Sequence, residues 1–205
     1  ARLTLTPTLL LRSLRSLRYE CQKHGLPGLA CKCAITLLRY SGIVPTDKAF
    51  YMAGQCCKAE NDMNLAFMLL NRYVDLIEAI EEGDNSNIDN ADFAEATNVP
   101  FDTPLPTTFY LPEHDAREEV RDWVLSICMD NTIDQRLPRQ GESEGTIYAG
   151  LYASDKPTCI VTGYPVSNRD LIDVNASVAN KKDWNALVNK TESCPWTGVE
   201  ASPQW

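Results

Sequence analysis

Two five-residue stretches near the end of the chain read alike: Cys159-Ile160-Val161-Thr162-Gly163 and Cys194-Pro195-Trp196-Thr197-Gly198, both C-x-x-T-G. A fold that contains this echo must place two similar loops around whatever lies between them. What lies between is a short apolar piece, Leu171-Ile172-Asp173-Val174, and a helix from about Asn180 to Asn189 with Trp184, Leu187 and Val188 inward. Upstream, Thr146 to Tyr152 is rich in β-formers and reads as a strand. Before that, Glu113 to Met129 reads as a helix, with Val120, Trp123, Val124, Ile127 and Cys128 on one face and acids in its first turn, where the dipole favours them.

The first eighty residues are helical throughout. Leu10, Leu14, Leu17 and Cys21 recur at helical spacing beside a stripe of Arg12, Arg15 and Arg18, which marks an amphipathic helix rather than a targeting peptide. It stops at His24-Gly25-Leu26-Pro27-Gly28. A second helix runs from about Leu29 to Tyr40, a third from a Thr46 cap to about Ala59, and a fourth from about Asp62 to Glu82, ended by Gly83. Short loops between four helices imply antiparallel hairpins. Phe50, Ala53, Gly54, Cys57, Ala66, Leu70 and Tyr73 fall at the offsets of the tetratricopeptide motif, in which small residues let two helices cross closely. Ala30 and Ala34 are the small positions of the preceding hairpin. The expectation is the end of an α-solenoid, whose work is to present surface.

Charge divides the chain. Residues 81–120 hold eleven acidic side chains and one basic, with Pro100, Pro104, Pro106 and Pro112 among them. Proline interrupts helices and like charge favours extension, so 83–110 reads as a connector between helical repeats over 1–82 and a module over 111–205. Phe93, Val99, Phe101, Leu105, Phe109 and Tyr110 are too apolar for a free linker, and the connector is expected to lie across a neighbouring surface. The net charge of −9 disfavours nucleic acid as a partner. No stretch approaches the ~20 consecutive apolar residues of a membrane span.

Eight cysteines fall mostly inside apolar helical patterns and read as buried thiols. Cys21, His24, Cys31 and Cys33 resemble a zinc set only in spacing, since Cys31 and Cys33 point about 200° apart on a helix. Cys159 and Cys194 have no histidine near them in sequence; His24 and His114 are the chain's two. No phosphate loop or dinucleotide fingerprint occurs, so neither a cofactor nor a metal is expected.

Two similar loops flanking a hairpin and one helix resemble the plan of RING and U-box domains. Each loop here keeps one Cys and one Thr, which resembles the zinc-free U-box kind, held by hydrogen bonds and salt bridges. The chain as a whole resembles the C-terminal end of the largest subunit of intraflagellar transport complex B. Asp47-Lys48-Ala49-Phe50-Tyr51, Leu70-Asn71-Arg72, Asp75 to Gly83, Thr162-Gly163-Tyr164-Pro165 and above all Arg117-Glu118-Glu119-Val120-Arg121-Asp122-Trp123-Val124-Leu125 carry the likeness, over about residues 20 to 190. It implies an α+β chain of solenoid hairpins followed by a small zinc-free U-box-like domain. It also implies a scaffold located in the cilium or flagellum and at the basal body, bound to other intraflagellar transport subunits. The U-box likeness implies a second class of function, a ubiquitin-binding or ubiquitin-ligase-like module that recruits a ubiquitin-conjugating enzyme and would carry weak ligase activity rather than conventional enzyme chemistry. Partner contacts would then come from Ile160 and Val161 of the first loop, Pro195 and Trp196 of the second, and Leu187 of the helix, with Val188 the other outward candidate. Ile160 stands where the first-loop proline of U-box domains would be.

Overall fold

Local punctuation sets most helix limits. In the computed structural model, Asp62 caps one helix by accepting from the Leu65 N–H, and Gly83 ends it in the left-handed region at φ 69°. Residues 7–86, 88, 93–94, 97–100, 102–130, 132–133, 136–174 and 177–204 are described, with side chains from residue 13 onward except Gln140. The described chain is mostly helical: α1 (Pro7–Lys23), α2 (Pro27–Leu37), α3 (Thr46–Ala59), α4 (Met63–Glu82), α5 (His114–Cys128) and α6 (Lys181–Thr191). One antiparallel hairpin, β1 (Leu171–Val174) with β2 (Ser177–Asn180), pairs Leu171 with Asn180 and Val174 with Ser177. Two compact units form. One joins residues up to Leu37 with those from Ala153 onward; the other is Leu38–Tyr152. These limits differ from the sequence boundaries near residues 82 and 110.

In the second unit α3 packs on α4 along the small residues. Phe50, Ala53, Cys57, Ala66, Leu70 and Tyr73 are all buried. A Cβ built on Gly54 would lie 2.6 Å from Leu70 Cδ2 and 3.3 Å from the Leu70 backbone nitrogen. Gly54→Val is therefore expected to cost about 2 kcal/mol through overpacking, read as a lowered urea midpoint. Thr46 does not cap α3. Its hydroxyl meets the Ser41 carbonyl at 3.3 Å and Thr103 Oγ1 at 3.0 Å, and Pro45 occupies the cap position. The neighbouring Asp47 replaces it in part: the carboxylate is buried, accepts from the Lys48 N–H and also holds the Tyr110 N–H at 2.7 Å.

That last bond fastens the acidic segment to α3. Phe93 meets Phe50 edge-on at 5.3 Å, Tyr110 lies 5.7 Å from Tyr51, and Arg117 sits 4.1 Å over the Phe109 ring. Val99 is buried, and Leu105 is half-buried. Phe101 lies outside the described residues. The described parts of the segment around Phe93 and Phe109-Tyr110 are thus held by their aromatic residues despite the charge around them. α5 packs on α4 through Val120 and Val124, while Arg117 and Arg121 approach Glu81 and Glu78 at 3.9 and 3.5 Å. Tyr73 is fully buried and its hydroxyl has no hydrogen-bond partner among the described residues. Burial pushes its pKa well up, with Asp47 adding to the effect. Removing an unpaired buried hydroxyl relieves a desolvation cost, so Tyr73→Phe is expected to raise stability by about 1 kcal/mol, checked in the same unfolding experiment.

Residues 146–152 are not a strand. Ile147–Leu151 is a 3-10 helix, started by Thr146, whose hydroxyl accepts from the Tyr148 N–H and donates to Ser143 O. Ile147 and Tyr148 are half-buried and Tyr152 is buried, and among the described residues no strand pairs with this stretch. Gly150, Ala149 and Leu151 can pack closely in that tight coil.

In the first unit α1 packs on α2 with Leu14, Leu17 and Cys21 buried against Ala30, Cys33 and Ala34. The side chains of Leu10 and Arg12 lie outside those described. Pro27 opens α2 two residues earlier than the apolar pattern suggests, at the first helical position that a residue without an N–H suits.

Candidate functional site

The two C-x-x-T-G stretches fold into matching loops. Cys159 N–H donates to Tyr164 O and Gly163 N–H to Cys159 O, both at 2.8 Å. In the second loop Cys194 N–H donates to Val199 O and Gly198 N–H to Cys194 O, again at 2.8 Å. Each loop closes on a bridge at the same offsets, Thr158 with Pro165 and Ser193 with Glu200. Each turns on a glycine with positive φ, 76° at Gly163 and 68° at Gly198. Trp196 Nε1–H donates to Ile160 O at 3.1 Å and joins one loop to the other. The Ile160 N–H donates to Val178 O and the Asn180 N–H to Cys159 Sγ, which fastens the first loop to β2.

Protein groups brace the first loop from below. Lys32 Nζ on α2 lies 2.7 Å from Asp183 Oδ1, and Thr162 Oγ1 donates to Asp183 Oδ2 at 3.3 Å. Thr36 Oγ1 donates to Thr162 O at 2.7 Å and Cys33 Sγ–H to Val161 O at 3.4 Å. Thr36, Thr162 and Asp183 are buried. Asp183 stands in the first turn of α6, whose end is capped by Asn180 accepting from the Asp183 N–H. A carboxylate at a helix N-terminus, paired with an amine and a hydroxyl, is a satisfied buried charge.

The five candidate contact residues separate. Pro195 is exposed, and Ile160 and Trp196 are half-buried. Val161 has no exposed surface and Leu187 is 1% exposed, so both belong to the core and neither is a contact residue. Val188, the other outward candidate, is equally buried, and Trp184 is buried as well. The reason is that α6 is covered on the face the sequence pattern leaves ambiguous. Leu187 lines a cavity of about 490 Å³ with Ser13, Ser16, Leu17, Glu20 and His24 of α1 and with Thr191, Cys194 and Pro195. Helix α1 is thus one wall of the second loop's surroundings, which no local spacing in the sequence announces. It also brings His24 into the same cavity as Cys194. His24 Nε2 is held 3.5 Å from Glu20.

Six of the cysteines are buried in the packing, while Cys56 is half-buried and Cys128 exposed. All eight are free thiols; Cys159 and Cys194 are 1% and 3% exposed. Cys21 and Cys33 share a hydrogen bond that lowers the Cys21 pKa and raises that of Cys33, and burial raises Cys33 further. Among the described residues no group of three or more His, Cys, Asp or Glu is arranged to hold a metal ion. Among them, too, no helix is long and apolar enough to cross a membrane.

No protein-family model matches the chain. Over 166 residues, 80% of its length, it is 42% identical to the human Intraflagellar transport protein 172 homolog. The chain is homologous to a segment of intraflagellar transport protein 172. The protein of that name in Chlamydomonas reinhardtii is 33% identical over 201 residues, and the Drosophila melanogaster homolog 33% over 195, covering 90% and 93% of the chain. The chain spans only about a tenth of these relatives, 9% of the human protein and 11% of the other two. These relatives match 80 to 93% of the segment, whereas most of their own length lies outside it.

Proposed function

We propose that this segment is a protein-binding part of an intraflagellar transport subunit, serving cilium or flagellum assembly and cargo movement alongside other subunits of that machinery. The observation that carries the reading is the 42% identity over four-fifths of the chain to the human relative. Tetratricopeptide-like helical hairpins and a U-box-like module are the finer architecture proposed for it. The buried, closely crossing residues of α3 and α4 support the first. The paired loops, braced by Lys32, Asp183, Thr162 and Trp196, support the second. Such a module acts by docking, and its working place would be the cilium, flagellum and basal body.

The test is transplantation. Exchanging the matching segment of the Chlamydomonas relative for this chain is expected to restore flagella in a strain lacking that protein. A stable exchanged protein that leaves cells without flagella would overturn the proposal.

The accessible Ile160, Pro195 and Trp196 favour a second reading, that the loops bind ubiquitin or a ubiquitin-conjugating enzyme. Titrating the full chain with labelled ubiquitin, and separately with conjugating enzymes, tests it. Saturable binding that Pro195→Ala and Ile160→Arg weaken by about tenfold is the expected result. Spectra unchanged across the panel would end this reading and leave the transport role standing.

A further inference from the structure

The outer ridge of α5 is the best-defined surface that neither the fold nor the loops use. Its inner side is occupied: Val120 and Val124 are buried, and Arg117 and Arg121 engage Glu78 and Glu81. Trp123 is covered on its flank by Lys58, 4.3 Å from the ring centroid. On the outer side Asp115, Glu118, Asp122, Leu125 and Met129 follow one another at spacings of three and four, which places them on one stripe of the helix, with Glu118 half-buried and already paired with Arg121. Leu125 is 59% exposed and Met129 85% exposed, while Asp115 and Asp122 are open to solvent. The stripe is acidic over its first half and apolar over its second.

We propose that this ridge docks a basic amphipathic helix of a partner protein, running antiparallel to α5. Charge complementarity decides the partner's chemistry. Residues 38–152 contain twenty-one Asp and Glu against eight Lys and Arg, so an acidic helix would meet repulsion along the whole unit and a neutral one would gain no attraction from it. Polarity along the stripe decides the direction. In an antiparallel pair the partner's first turns cover Leu125 and Met129 with apolar side chains, and its last turns bring Lys or Arg to the open Asp122 and Asp115. Basic residues at a helix C-terminus are also favoured by that helix's own dipole, which a parallel arrangement would oppose. The spacing of the ridge is that of a coiled-coil seam, so leucines and lysines at three- and four-residue intervals fit it. Five ridge residues give a small contact of the weak, exchanging kind.

The probe is a fluorescein-labelled peptide as long as the 15 residues of α5, with leucines in its first two turns and lysines in its last two on one face. Fluorescence anisotropy with the full chain is expected to give saturable binding with Kd of about 10–100 μM at low salt, weakening steeply as salt is raised. Asp122→Lys and Leu125→Glu are each expected to weaken it about tenfold, and a peptide with the lysines first should bind less well. Both positions are exposed, and circular dichroism checks that each variant is folded; Met129→Ser gives a second apolar variant. Absence of saturable binding overturns the proposal. So does binding indifferent to both substitutions, or equal binding of the two peptide orders. Sedimentation showing that the chain pairs with itself through Leu125 would replace the partner helix by a second copy.

Discussion

Gly163→Ala is expected to destabilise the unit containing the two loops by about 3 kcal/mol or more, with Gly198→Ala costing only about 1 kcal/mol. Both glycines close the same turn with positive φ, 76° and 68°. Their surroundings differ. A Cβ on Gly163 would lie 2.4 Å from Thr36 Cγ2 and 3.2 Å from Thr36 Oγ1, whereas nothing lies within 4 Å of one on Gly198. Thr36 cannot turn away freely, because its hydroxyl donates to Thr162 O at 2.7 Å. The double variant Gly163→Ala with Thr36→Ser removes the clashing methyl and keeps the hydroxyl, so it should recover most of the difference and fall near Gly198→Ala. Urea unfolding followed by the fluorescence of buried Trp184 reads all three. Equal losses at the two glycines would show that Thr36 does not press on the first loop.

Lys32→Met is expected to cost about 3 kcal/mol and Asp183→Asn about half of that. The asymmetry comes from burial. The Asp183 side chain is 5% exposed and the Lys32 side chain 34% exposed. Losing the lysine strands a carboxylate in the interior with the Thr162 hydroxyl as its remaining side-chain donor, at 3.3 Å. Losing the carboxylate instead leaves an amine that can swing into water. Replacing both, Lys32→Met with Asp183→Leu, removes the stranded charge and should be milder than Lys32→Met alone. Guanidinium unfolding of the four proteins gives the coupling. Additive losses would mean that the 2.7 Å contact contributes nothing to stability. The pair is where the first loop depends most on long-range geometry, since Lys32 and Asp183 are 151 positions apart.

The loops themselves were legible as a pair, because a C-x-x-T-G repeat constrains backbone geometry within a few residues. Their hydrogen bonds follow the repeat atom for atom. The contact residues were less legible. The U-box likeness implies surface contacts from Val161 and Leu187, whereas the helical pattern turns Leu187 inward; both lie in the core, since α1 and α2 pack against this part of the chain. Trp196 was expected to be open and is half-buried, its ring nitrogen committed to Ile160 O. The strand expected over 146–152 failed for a related reason: β-forming residues make a strand only where another edge accepts their hydrogen bonds, and here a capped 3-10 turn forms instead.

Sequence alone determined what short-range forces control. The Asp62 cap and Gly83 stop of α4, the close-packing small residues Gly54 and Ala66, and the two glycine-closed loops all express preferences acting over a turn or two of chain. Tertiary structure decided everything that depends on which distant surface covers a residue. It set Lys32 and Thr36 beneath the first loop, made α1 a wall beside Pro195, buried Leu187, and left Leu125 and Met129 in water. Burial is a property of neighbours in space, and Thr36 and Thr162, which meet beneath the first loop, are 126 positions apart along the chain.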